Sequence, residues 1–347
     1  MTGIFTISLD FELHWGVFDK RDRLARKQCY ENTLQLIPRM LDLFAKHDVH
    51  VTWATVGSLF AKNSEEWLSL KPAVEPAYEN DVYSAYKWAK KNSLSNQYHW
   101  AHFAPESIAA ILKYPGQELA THTFSHYYCM EPQTNPEAFA EDLRAAQNAA
   151  KKFGTEMVSL VFPRNQYNPE YLKTCYEAGI KAIRSNPNNW FWTPIPNEGT
   201  SLMRKVFRTG DGYMQMGRRT SYSLSSIGLK PDEPIQLPAS RLFRSWHPKY
   251  AFSNTLRLRR ILGELKTAAV KKECYHLWWH PENFGDFPEQ NLQDLETVLK
   301  AYSHYKKQYG MQSWNMGEYV TGLNQEKNQL SGQTNVILSQ NIDALIK

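Results

Sequence analysis

Ile4-Phe5-Thr6-Ile7-Ser8-Leu9-Asp10-Phe11-Glu12 is the stretch from which the fold is read. Ile7, Leu9 and Phe11 alternate with Ser8, Asp10 and Glu12, the period-2 pattern of a strand whose two carboxylates point the same way. Two acids on one strand face seldom serve packing, so this strand is expected to end at a chemical site; the bland alternative makes Asp10 a turn or cap residue. Outward from it, strands and helices alternate. A helix is expected over 30–47, a strand over 49–56 and a helix over 57–67, followed by a helix at 135–153, a strand at 159–162, a helix at 169–178 and a strand at 180–184. A strand at 235–237, a helix at 255–272, a strand at 275–279, a helix at 290–309 and a last strand at 311–314 continue the pattern. Such alternation implies parallel strands with crossover helices, and seven or eight units suggest a (β/α) barrel.

Two further segments carry chemistry. His122-Thr123-Phe124-Ser125-His126 sets two imidazoles four residues apart, side by side if the segment is one turn of helix and close enough to share a divalent ion. Leu119-Ala120-Thr121 before them reads as a short strand, so His122 lies where a strand ends and a loop begins. Leu277-Trp278-Trp279-His280-Pro281 likewise puts His280 at the mouth of an apolar strand. With eleven histidines in the chain, the spacing by itself decides little, and a pair of ordinary surface histidines is the alternative. His14 reads as a loop residue over a cleft, and His99 and His102 as surface or packing residues.

With 347 residues, 42% of them hydrophobic and 13% aromatic, the chain can bury a large core and form one barrel with insertions. The net charge of +5 is scattered along the chain in short clusters, which fits solvated helix faces and gives no sign of nucleic-acid binding. Cys29, Cys129, Cys175 and Cys274 show no paired spacing, as expected of reduced thiols. No stretch approaches a membrane span, and the first strand starts close to Met1 without a basic leader, which points to the cytoplasmic side.

Two stretches do not fit the alternation. Residues 62–105 carry Tyr78, Tyr83, Tyr86, Trp88, Tyr98 and Trp100 and read as an inserted segment, either a lid whose rings face the cleft or a satellite core under a long loop. Residues 185–234, rich in Pro, Asn, Ser and Gly around Trp190-Phe191-Trp192, are a second insertion expected to border the cleft. A barrel over 1–322 and a polar tail over 323–347, with a short helix at 341–346, complete the expected organisation.

The order and wording of the three segments resemble the NodB-like polysaccharide deacetylases, carbohydrate esterase family 4, over roughly residues 4–320. Ser8-Leu9-Asp10-Phe11-Glu12 stands where that family has a Thr-Phe-Asp-Asp-Gly strand end. Gly116-Gln117-Glu118-Leu119-Ala120-Thr121 and His122 to His126 match its second motif, the most specific of the set; Arg164-Asn165-Gln166-Tyr167 resembles its Arg-x-Pro-Tyr, with Gln166 at the proline, and Leu277 to His280 meets its Leu-x-x-His. The resemblance implies an irregular (β/α)7-type barrel, here with the inserted aromatic-rich segment. It also implies a divalent ion, zinc first and cobalt next, held by His122, His126 and a carboxylate, and removal of an N- or O-acetyl group from a sugar. The substrate expected is an acetylated amino sugar, nucleotide-linked, lipid-linked or in an oligosaccharide. In this scheme Asp10 is the general base, Arg164 fixes its carboxylate, the Tyr167 N–H helps hold the oxyanion and His280 protonates the leaving amine.

Two departures from the family pattern stand out. The family's second Asp, a metal ligand, is Phe11 here, so Glu12 must supply that oxygen. Its Asp-Trp motif survives only as Asn189-Trp190, which leaves the carboxylate that orients the acid histidine without a place. A metal-independent C–N hydrolase on the same barrel and an inactive glycan-binding protein remain the alternatives.

Overall fold

The structure, a computed structural model, describes residues 2–323. Its sheet is parallel throughout and runs β6-β5-β4-β3-β2-β1-β8-β7, where β1 is Ile4–Phe11, β2 Val51–Thr55, β3 Gln117–Thr121, β4 Ser159–Val161, β5 Ala182–Ser185, β6 Ile235–Pro238, β7 Arg241–Leu242 and β8 Cys274–Trp279. A ninth strand, β9 (Gln312–Ser313), pairs with the first residues of β1. β1 lies between β2 and β8, and every one of its eight residues is buried. A strand sealed on both faces and flanked on both edges is the usual centre of a parallel α/β sheet.

The two ends of the strand order meet through one short segment. β6 pairs with β5, and within two residues the chain bends so that β7 pairs with β8. At the bend the Ala239 N–H donates to Ser185 O (2.8 Å) and the Ser240 N–H to His276 O (2.8 Å). Pro238, which has no N–H to give, sits at the turn-over point. Counting this bent segment as one strand, the curled sheet has the seven-fold layout of an irregular (β/α) barrel.

Helices cover the outside. α1 (Lys27–His47) buries Tyr30, Thr33, Ile37, Leu41 and Phe44, a stripe at helical spacing, and stops at Asp48 in the left-handed region. α2 (Ser64–Leu70), α3 (Ala85–Asn92), α4 (His99–His102) and α5 (Pro105–Ile111) fill the connection between β2 and β3. α6 (Pro136–Lys151), α7 (Leu172–Glu177), α8 (Leu202–Gly210), α9 (Ala251–Lys271) and α10 (Pro288–Tyr309) follow. The helix expected over 57–67 is instead a single tight turn, Gly57–Phe60, followed by α2. The helix expected at 341–346 lies outside the described residues.

The aromatic rings of 62–105 turn inward. Trp67 stacks on Trp15 with centroids 5.9 Å apart, Tyr78 packs against Tyr127 and Tyr128, and Trp88 meets His14 and His102. Tyr78, Tyr83 and Tyr86 are buried. These rings therefore join the main core and are not a row of platforms over the cleft. Residues 185–234 instead leave an open cleft of about 1060 Å³, walled by Tyr167, Asn189, Trp190, Trp192 and Arg218. All four cysteines are buried and none forms a disulfide, and among the described residues no helix is long and apolar enough to cross a membrane.

Candidate active site

Every group singled out in the sequence for chemistry follows the C-terminal end of a strand or closes it. Asp10 is the penultimate residue of β1, Glu12 follows β1, His122 follows β3, Arg164 follows β4 and His280 follows β8. Parallel strands bring those ends to one rim, which is how residues far apart in the chain become neighbours.

Glu12 is aimed by its surroundings. Its N–H donates to Glu282 Oε1 at 2.9 Å, as does the Leu13 N–H, so the buried Glu282 pins the turn that leaves β1. Gly16 lies under the Glu12 carboxylate so closely that a Cβ there would meet its carboxyl carbon at 2.1 Å. Glu12 Oε2 stands 2.8 Å from His126 Nε2 and 3.4 Å from His122 Nε2.

The two imidazoles do not sit on a turn of helix as their spacing suggested. Residues 122–128 form an irregular loop in which Thr123 (φ 62°) and His126 (φ 59°) both adopt left-handed conformations. The loop is fastened from three sides. Gly57 and Ser58 N–H groups donate to the Thr123 and Phe124 carbonyls (2.8 and 3.0 Å), and a Cβ on Gly57 would strike Phe124 Cα at 2.8 Å. From α6 the buried Asp142 accepts from the Phe124 N–H (2.5 Å), the Ser125 N–H (3.2 Å) and the Ser125 hydroxyl. Burial pushes the Asp142 carboxyl up to about 6 against the pull of these donors. His122 Nδ1 then faces Val161 O at 2.8 Å, and His126 Nδ1 faces the Tyr128 hydroxyl at 3.0 Å, so each ring can turn an Nε2 lone pair into the space it shares with Glu12. Burial, partly opposed by Glu12, lowers His126 to about 4 and keeps it neutral.

Glu12 Oε2, His122 Nε2 and His126 Nε2 are buried without a hydrogen-bond partner, and the three ligand atoms lie within 4.8 Å of one another. One carboxylate and two neutral imidazoles with unused lone pairs fit a divalent ion such as zinc, with coordination positions to spare.

Asp10 is held by an arginine that the sequence did not single out. Arg184, on β5, donates from Nη1 to Asp10 Oδ1 (2.6 Å) and from Nη2 to Asp10 Oδ2 (2.7 Å), and both side chains are buried. Nη1 also reaches the Ser8 hydroxyl at 3.0 Å, which meets His276 Nε2 at 2.9 Å, and the guanidinium lies over Trp278 at 4.4 Å. Burial alone would raise the Asp10 carboxyl, but Arg184 outweighs it and holds it below the ordinary aspartate value. Arg164, expected to fix Asp10, is turned elsewhere, because its guanidinium bonds to Asp19 and to Gly16 O and stacks 4.5 Å from the Tyr128 ring centre. The Tyr167 hydroxyl donates to Gln236 at 2.9 Å, on the cleft side of the loop.

His280 sits 3.1 Å from Glu12 Oε1 and 3.8 Å from Asp10 Oδ2. Burial pulls its pKa down, yet Glu12 and Asp10 outweigh it and raise it to about 9, so the ring carries a proton at neutral pH. Its side chain is 29% exposed, open to a substrate, while Nδ1 is met by the Asn283 amide at 3.3 Å. Asn283 thus contacts the ring where the family has a carboxylate; Asn189 is spent on the Arg218 N–H.

The curled sheet holds Glu12, His122 and His126 at its rim, and residues 27–183, which include the two histidines, match the polysaccharide deacetylase family model. Residues 27–183 carry a polysaccharide deacetylase domain. Such domains belong to hydrolases that act on the acetyl groups of sugars. No curated protein sequence matches the chain. Among solved structures, a candidate polysaccharide deacetylase from Mycobacterium smegmatis superposes with a TM-score of 0.58 at 13% identity, covering 94% of this chain and 92% of that one. The allantoinase Puue gives 0.53 at 9% identity over 92% and 88% of the two chains, and the α-amylase AmyC from Thermotoga maritima gives 0.53 at 10% over 92% and 75%. At such identities the likeness is one of fold, and it spans proteins named for different chemistries. What distinguishes this deacetylase domain must be sought in its own side chains, of which Arg184, Asp142, Glu282 and Tyr128 carried no motif signal.

Proposed function

We propose that this protein is a metal-dependent hydrolase that removes an acetyl group, N-linked in the first instance, from a sugar or glycan precursor, in the service of surface-glycan synthesis. The observation that carries the reading is the trio of buried, unpartnered ligand atoms on Glu12, His122 and His126. A divalent ion bound there, zinc by preference, supplies Lewis acidity that acidifies a water and polarises the acyl carbonyl. Asp10, anionic and fixed in direction by Arg184, takes the proton of the attacking water. The N–H of Tyr167, in the loop after β4, is the candidate donor to the oxyanion. His280 gives its proton to the departing amine, which is too basic to leave as an anion. Acetate and a free amino sugar result.

The test joins metal analysis to acetate release from acetylated sugar nucleotides, lipid-linked sugars and short oligosaccharides. His122→Ala and His126→Ala are expected to lose metal and turnover together. Asp10→Asn should keep most of the metal while losing turnover, and Glu12→Gln should weaken metal binding first. Full metal occupancy in both histidine variants, or a wild-type protein that turns over equally well without metal, would overturn the proposal.

A further inference from the structure

Arg164 is left over once Arg184 is seen to hold Asp10. It and Asn165 both take positive φ (53° and 54°), a conformation that costs energy in an arginine and tends to be kept where a site needs it. With Asn186, Trp192, Asn197 and Arg208 they line a narrow cavity of about 200 Å³, room for a small group and not for a polymer chain. Two donors in its walls lack a protein acceptor. Arg164 Nη1 and Asn197 Nδ2 are buried and bonded to no protein acceptor. Arg208 lies 5.1 Å from the Trp192 ring centre and donates from Nε to Phe191 O (2.5 Å), with no carboxylate paired to it among the described residues. Lys20 lies in the field of Arg164 and Lys205. Against these cations stand Asp19, engaged by Arg164, and Glu131, whose Oε1 accepts from Gln166 (2.6 Å) and the Asn197 N–H (2.8 Å). Buried guanidinium and amide N–H groups with nothing to donate to are costly unless an oxyanion satisfies them, and the arginine fork suits carboxylate and phosphate oxygens.

The cavity adjoins the reacting groups. Asn165 Oδ1 accepts from Arg184 Nη2 at 3.1 Å, the same nitrogen that holds Asp10. Arg164 covers Tyr128, whose hydroxyl meets His126.

We propose that this cavity is an anion subsite, taking a phosphate or carboxylate that the acetylated sugar carries near its acyl group, so that the substrate is an anionic sugar and not a neutral glycan. That the anion belongs to a substrate rests on the deacetylase reading; the anion site does not. The test titrates the full-length, metal-loaded protein calorimetrically with inorganic pyrophosphate and, separately, with glucuronate. At least one is expected to saturate: pyrophosphate points to a nucleotide- or lipid-linked sugar, glucuronate to a uronic acid. Arg208→Gln should weaken that binding about 10- to 100-fold, the usual worth of a charge-assisted bond, and Arg208→Lys less. His126→Ala, which removes a metal ligand, should retain it. Should Arg208→Gln fail to fold, Asn197→Ala is read with the same expected direction. Saturation by neither anion, indifference to the Arg208 and Asn197 variants, or loss of binding in His126→Ala overturns the proposal. If no acetylated sugar releases acetate while anion binding behaves as expected, it is the deacetylase reading that fails and the subsite that stands.

Discussion

Replacing Arg184 with Met should expose how much of the barrel's stability passes through one buried ion pair. The guanidinium and the Asp10 carboxylate share two hydrogen bonds of 2.6 and 2.7 Å, with both side chains buried. Taking away Arg184 leaves the buried Asp10 carboxylate without its hydrogen-bonded counter-ion, with only His280 at 3.8 Å, which costs about 3–5 kcal/mol. An unfolding entropy of ~2.1 cal/mol/K per residue gives about 0.7 kcal/mol/K for a chain of this length, so Tm should fall by about 4–7 °C at pH 7. The pH dependence has a definite sign. In the wild type the Asp10 pKa is depressed, so the pair's contribution is present above the ordinary aspartate value and is lost as pH falls through the folded one. In the variant, burial acts on Asp10 against only the pull of His122 and His280, so its pKa rises relative to the wild type, Asp10 protonates more readily on acidification and the penalty is relieved. The gap in Tm between the two proteins should therefore narrow between pH 7 and pH 4, and Asp10→Asn/Arg184→Met should recover part of the loss at pH 7. Scanning calorimetry across that range measures both. A fall below about 1 °C at pH 7, or a gap that stays constant with pH, would refute the reasoning.

Two further outcomes follow from the site. His280→Ala should keep metal while losing about 10²- to 10⁴-fold in turnover on an acetamide, and should lose far less on an activated aryl acetate ester, whose leaving group needs no proton; equal losses on both substrates in steady-state assays would assign His280 to positioning instead. Asp142→Ala strips the acceptor from two backbone N–H groups and the Ser125 hydroxyl, so stability should fall by about 2–4 kcal/mol and metal affinity with it, because the loop that carries both imidazoles is no longer fastened; urea unfolding and metal titration, with unchanged affinity counting against the account, check this.

The sequence by itself determined the strand-and-helix alternation, and with it the parallel sheet, because buried strands and amphipathic helices announce themselves in local periodicity. The strand that opens at Ile4 and the strands that end at Thr121 and Trp279 were read closely enough to put Asp10, His122 and His280 at the rim. Local spacing offered His122 and His126 as a pair, and the family resemblance added Glu12 as the third ligand. Contacts between distant elements were settled only in three dimensions. A guanidinium is equally available from Arg164 or Arg184 in one dimension; the pairing of β5 beside β4 puts Arg184, not Arg164, against Asp10. The His122–His126 spacing fits a helical turn, yet the chain takes two left-handed residues instead, because Asp142 on α6 and the turn after β2 supply the acceptor and donors that stabilise the bent loop. The tyrosines of 62–105 have the composition of a sugar platform, and the neighbours they meet, Tyr127 and Tyr128, make them a core. Period and residue type are properties of a few neighbouring positions and survive in the sequence, whereas the partner of a buried charge is chosen by how the whole sheet curls.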